Sequence, residues 1–129
     1  MYPYQSIDSM STISIENMDF YAFHGCFDEE SKIGTHFRVD LQLEVNTEVA
    51  QKSDNIDDTV NYLEVYQTVK EQMMIASHLL EHVADRIGEA LLHRFPAIDS
   101  LTVKVSKMNP PLGGHIGAVA LAIEKRRGV

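Results

Sequence analysis

Between positions 37 and 46 apolar and polar residues alternate without a break. Phe37, Val39, Leu41, Leu43 and Val45 fall on one side, and Arg38, Asp40, Gln42, Glu44 and Asn46 on the other. That period of two marks a strand with one dry and one wet face. An earlier β-like stretch opens with Ile13 and Ile15 and runs to about residue 23. The polar segment 24–34, bounded by Gly25 and Gly34, reads as a loop. After a polar connection over 51–61 the period changes. Tyr62, Val65, Tyr66, Val69 and Met73 are spaced for one helical face, predicting a helix from Tyr62 to about Ile75. Asn61 followed by Glu64 resembles a capping box. A second helix carries the stripe Leu80, Val83, Ala84, Ile87 and Leu91, with Ser77 as its expected N-cap and Pro96 closing it. Gly88 lies inside that stripe at a cost of about 1 kcal/mol relative to alanine, so close packing is expected there. Two further strands are predicted over 101–107 and 118–124.

The element order is β-β-α-α-β-β, an α+β class. Two strand pairs can form one antiparallel four-stranded sheet with both helices on its apolar face. The opposite face, with Arg38, Asp40, Gln42, Glu44, Thr102 and Lys104, is broad and polar. Exposed sheet edges invite pairing, and assembly of several copies into a closed barrel would remove them.

Composition narrows the functional classes. The 129 residues suit one domain, and 44% hydrophobic content suffices for a core. Residues 1–12 read as a flexible N-terminal extension, lacking the basic start and apolar stretch of a signal peptide, with a single domain over 13–129. No apolar run approaches the roughly 20 residues that span a bilayer, so no membrane partner is expected. Cys26 is the one cysteine, so no internal disulfide forms, and a cytoplasmic location is expected. A net charge of −8 argues against nucleic acid.

Four ionisable positions draw interest. Alternation from Leu101 through Val103 and Val105 carries Lys107 onto the apolar side, an unusual place for an amine. A strand-end lysine with its stem on apolar surface and its amine in water is the simpler account. Glu81, in the first turn of an apolar helix, is favoured by the helix dipole alone. Tyr62 opens a helix as packing tyrosines do. Glu30 belongs to the acidic run Asp28-Glu29-Glu30, of a kind usually solvated. His78 and His82 are four apart and could share a helix face, yet no HExxH pattern accompanies them, and no metal is expected. Cys26 has no basic neighbours that would mark a nucleophile. Neither a GxSxG elbow nor a phosphate-binding glycine motif is present. Composition and spacing leave the activity open.

Several segments taken together resemble the dihydroneopterin aldolase family. They are "NMDFYAFHG" from Asn17, "IG" at Ile33-Gly34, "DTVNYLEVY" from Asp58, "LLEHVADRI" from Leu79 and "KMNPP" from Lys107. The resemblance spans nearly the whole chain and implies a T-fold. Such antiparallel units assemble around a central barrel as homo-tetramers or homo-octamers with sites between subunits. It implies retro-aldol cleavage of 7,8-dihydroneopterin, a folate-pathway pterin, to 6-hydroxymethyl-7,8-dihydropterin and glycolaldehyde. The ring imine of the substrate is the electron sink, so no cofactor and no Schiff base are needed.

By the same resemblance Lys107 is the proton-transfer lysine and Tyr62 relays a proton and lines the pterin pocket. Glu81 anchors the amino-pyrimidine edge, with a backbone contact from Leu80. Glu30 comes from a neighbouring subunit to the substrate's hydroxyl chain. The run Gly113-Gly114-His115-Ile116-Gly117 departs from the family's P-G-H pattern followed by an aromatic residue and an acid. A 2′-epimerase on the same fold, acting on dihydroneopterin or its triphosphate, and a catalytically silent pterin-binding protein are the alternative readings.

Overall fold

The alternation at 37–46 persists in space: Phe37, Val39, Leu41, Leu43 and Val45 are each at most 1% exposed. They lie on β2 (Thr35–Asn46), the second strand of a computed structural model that describes residues 10–27, 32–110 and 112–128. Around it run β1 (Met10–Ala22), α1 (Glu48–Ser53), a 3-10 turn (Ile56–Asp58), α2 (Tyr62–Met73), α3 (Leu80–Arg94), β3 (Ile98–Met108) and β4 (Ala118–Arg126). The strands form one antiparallel sheet in the order β1-β2-β3-β4. α3 packs over β3 and β4, and α2 lies against α3 and β1. The expected α+β architecture is present, with β1 and β4 as its two edges.

β1 starts at Met10, inside the segment 1–12 assigned to an extension, because Met10, Ser11 and Thr12 pair with Asn46, Val45 and Glu44. It also holds a β-bulge. Ile15 pairs with Leu41 but Met18 with Val39, so Glu16 and Asn17 face the single residue Asp40. Asn17 adopts φ 58, and its N–H donates to Asp40 Oδ1 at 2.8 Å. The extra residue shifts the phase of the strand. Ile13 and Ile15 pack against the core before it, and Met18, Phe20 and Ala22 are buried after it. The same phase carries the next even position, His24, inside, where it is 1% exposed.

The helices bury most of their apolar stripes, although Tyr62 and Tyr66 of the expected α2 stripe are exposed, and two further expectations are corrected. The connection over 51–61 contains α1 and the 3-10 turn; neither buries a residue, so neither leaves an amphipathic trace. Ser77 is not the cap of α3. Leu79 occupies that position without a side-chain bond, and Ser77 is bonded elsewhere. Asn61 caps α2 as expected, its side chain accepting from the Leu63 N–H. Gly88 is explained by close approach: a Cβ there would lie 2.6 Å from Lys125 Cδ. The Lys125 amine reaches Asp85 at 2.8 Å and Glu89 at 2.7 Å on either side of it. α3 ends at Arg94, two residues before Pro96, and Arg127 donates to the Leu92 and Phe95 carbonyls near that end.

Candidate active site

Lys107 pairs with Phe37 across β2 and β3, in line with Val105 and Val103 on the core side. It is half-buried, and its Nζ stands 5.9 Å from the centroid of the Phe37 ring. The strand places the stem on apolar surface, as the simple strand-end account requires, and directs the amine toward an aromatic face. The Asn109 N–H then donates to the Gly117 carbonyl at 2.8 Å, joining the two ends of the connection from β3 to β4.

The same phenyl ring also meets a histidine. His24 lies edge-on to Phe37, with centroids 5.0 Å apart at 73°. His24 Nδ1 accepts from the Ser77 N–H at 3.1 Å, so in the neutral ring the proton is on Nε2. Nε2 is buried with no acceptor in hydrogen-bonding geometry among the described residues. Burial, then the Arg86 guanidinium, lowers the His24 pKa to about 4; the Met73 carbonyl opposes this and the Lys107 charge adds to it. His24 is a neutral ring at neutral pH.

Ser77 lies in the turn between α2 and α3. Its carbonyl accepts from the Gly25 N–H at 2.9 Å, and its Oγ accepts from Arg86 Nη1 at 2.6 Å. Cys26 Sγ reaches the next carbonyl, that of His78, at 3.3 Å. A groove of about 480 Å³ opens on this turn, lined by Ile75, Ser77, His78, Leu79, His82 and Arg86 among others. A smaller cleft of about 70 Å³ between the turn and Phe23-Gly25 lies on the same segment.

The residues expected to act are distributed unevenly over this frame. Leu80 and Glu81 open α3 directly after the turn, Leu80 partly buried and Glu81 exposed. The first-turn position gives the Glu81 carboxylate the favourable end of the helix dipole. Tyr62 opens α2 and is 70% exposed. The turn bearing Ser77 follows the other end of α2, so about 16 Å of helix separates Tyr62 from it. Glu30 lies outside the described residues. His78 precedes α3, so His78 and His82 do not share a helix face, although both line the groove. Among the described residues no group of three or more His, Cys, Asp or Glu side chains could hold a metal ion. No helix among them is long and apolar enough to cross a membrane.

His24, Ser77 and Arg86 were not singled out as site residues by the sequence. The signal for His24 was available in "FHG", but only with the strand phase corrected for the bulge. Ser77 and Arg86 carried none.

The family model for dihydroneopterin aldolase (FolB) matches residues 13–124. Dihydroneopterin aldolase of Bacillus subtilis strain 168 is 37% identical over 119 residues, covering 92% of this chain and 99% of that protein. The Streptococcus pyogenes serotype M6 enzyme is 39% identical over 119 residues, covering 92% and 100%. Among solved structures, Escherichia coli dihydroneopterin aldolase in complex with neopterin superposes with a TM-score of 0.82 at 26% identity, over 89% of this chain and 98% of that one. Bacillus subtilis urate oxidase, at 11% identity and a TM-score of 0.65 over 90% of this chain and 46% of its own, shares the fold. A fold is common to many chemistries, but sequence identity at this level and coverage is not: the chain belongs to the dihydroneopterin aldolase family.

Proposed function

We propose that this aldolase cleaves 7,8-dihydroneopterin with Lys107 as the proton-transfer group, Tyr62 as the relay, Glu81 and Leu80 as the pterin anchor, and Glu30 at the hydroxyl chain. Removal of the 2′-hydroxyl proton starts the reaction. The bond between C1′ and C2′ of the three-carbon side chain breaks, its electron pair moves into the ring imine, and C2′ and C3′ leave as glycolaldehyde. Protonation of the remaining side-chain carbon restores the imine and gives 6-hydroxymethyl-7,8-dihydropterin. Lys107 suits the proton steps because an ammonium has three donors and, once deprotonated, a lone pair. Tyr62 can both donate and accept. The Glu81 carboxylate can take two parallel N–H bonds from the amino-pyrimidine edge.

Place in the register supports this assignment most strongly. Lys107 pairs with Phe37, and the turn leading to Glu81 is tied to His24 on the same ring. Tyr62, exposed at the far end of α2, cannot reach a pterin held by Glu81 of its own chain, which favours a homo-oligomer in which a neighbour supplies it. The barrel-forming tetramer or octamer meets that need.

Purified protein incubated with 7,8-dihydroneopterin or its triphosphate, with chelator present, tests the reading by product chromatography. Glycolaldehyde released from the unphosphorylated substrate is expected. An epimer alone would transfer the reading to epimerisation, and binding without turnover would make the protein a silent pterin binder.

A further inference from the structure

The turn that precedes the pterin anchor has almost no apolar means of holding its place. Between the end of α2 at Met73 and the start of α3 at Leu80, the residues Met74, Ile75, Ala76, His78 and Leu79 are exposed and only Ser77 is buried. Its position therefore rests on polar bonds. Arg86, one and a half turns into α3, supplies most of them. Nε donates to Gln72 Oε1 at 3.0 Å, Nη1 to Ser77 Oγ at 2.6 Å, and Nη2 to the Gln72 and Ile75 carbonyls at 2.6 and 2.7 Å. The two carbonyls belong to the C-terminal end of α2, where orphan acceptors and the negative end of the dipole favour a cation. A planar fork can serve four acceptors at once; a lysine ammonium on the same stem cannot reproduce that spread.

Ser77 is the other half of the device. Its N–H, carbonyl and hydroxyl are bonded to His24, Gly25 and Arg86 respectively. The turn is thereby fixed on one side to the end of β1 and on the other to α3. His24 in turn rests against Phe37, the ring over which Lys107 is held.

We infer that Arg86 and Ser77 are positioning residues that hold the turn entering α3, and with it Leu80 and Glu81, in register with Lys107. The inference builds on the assignment of Glu81 as pterin anchor. Arg86 touches no reacting atom in this scheme; it acts through Glu81. Its loss raises KM and the dissociation constant more than it lowers kcat. A merely structural arginine would lower thermal stability and leave the affinity of the folded fraction unchanged.

The test is a double-mutant cycle on the full chain, read as the dissociation constant for neopterin, with kcat and KM for 7,8-dihydroneopterin and sedimentation as controls on activity and assembly. Arg86→Met is expected to weaken neopterin binding about tenfold or more, the scale of lost charge-assisted hydrogen bonds. In the Glu81→Ala background the same change should add less than about threefold, because the group it positions is gone. Ser77→Ala, which keeps both main-chain bonds, should weaken binding a few fold and decides the matter if Arg86→Met does not fold. Wild-type affinity in the folded Arg86→Met variant, or in Ser77→Ala where Arg86→Met fails to fold, overturns the inference, as do losses that multiply across the cycle. Unaltered binding by Glu81→Ala, or a wild-type protein that does not turn over dihydroneopterin, instead overturns the anchor assignment beneath it, and this inference falls with it.

Discussion

Lys107 illustrates how one residue can satisfy two demands. Alternation along β3 assigns its position to the core, and the register opposite Phe37 keeps it there. Its length lets the amine reach the rim of the sheet, so stem and charge sit in different surroundings. Lys107→Ala is expected to slow turnover by orders of magnitude while the neopterin dissociation constant changes by less than about twofold, the pattern of a group used mainly in the transition state. A variant with wild-type kcat would remove the lysine from the mechanism.

His24 makes a different contribution, to stability. Its pKa in the fold, about 4, is below the ordinary 6.5. Between those values the unfolded chain holds the extra proton, so stability rises with pH there. The contribution is complete above about pH 6.5 and is lost as pH falls through about 4. Arg86 from α3 and Lys107 from β3 both oppose protonation, and the Met73 carbonyl favours it. Denaturant midpoints measured from pH 7 to 4 should fall more steeply for wild type than for His24→Gln; parallel profiles would show that His24 does not titrate differently in the two states. Nothing in the composition announced this role, because it depends on a buried contact with a residue 53 positions away.

At the scale of elements, local periodicity was sufficient to place β2, α2, α3, β3 and β4, and the apolar faces of β2, α3 and β3 are buried as their patterns predict; Tyr62 and Tyr66 of α2 are exposed, and β4 is at most partly buried. Periodicity was insufficient where an element has no apolar face, as in α1, or where an extra residue resets the phase, as in β1. Ser77 resembles an N-cap in sequence because serine before an apolar stripe has that preference. It is bonded differently because Arg86 and His24 compete for the same hydroxyl and N–H. Gly34 shows the reverse case, a residue the backbone requires. It adopts φ 78, and a Cβ would meet Tyr21 Cε1 at 2.8 Å, Phe23 Cε1 at 2.9 Å and the Ala22 carbonyl at 3.0 Å. Gly34→Ala is expected to cost about 2 kcal/mol or more, from left-handed backbone strain plus the clash. A melting temperature equal to wild type would contradict this.

For the whole molecule, the sheet poses a question that the proposed assembly would answer. β1 and β4 are edges within one chain, and unpaired edges are a hazard that closure removes. The polar face is internally organised: Arg38 pairs with Asp19 at 3.3 Å, and Thr12 donates to the Glu44 carboxylate. Tyr62 and Glu81 stand near opposite ends of α2, so the site as proposed draws on two chains. Sedimentation is expected to give a tetramer or octamer, with specific activity falling as dilution dissociates it. Monomers with full specific activity would refute a shared site.

What the chain's order of residues determined by itself was the identity of its main strands and helices, their buried faces and, through several spaced segments, its family. Those properties depend on neighbours two to four positions apart or on short motifs, so they can be read along the chain. Only the tertiary structure decided that His24 turns inward, that Ser77 is a junction between β1 and α3, and that Arg86 closes α2. The first two depend on groups brought together across 53 positions, through a bulge that resets the strand phase, and the third on a helix–turn–helix packing that places Arg86 over the end of α2; local preferences encode none of these.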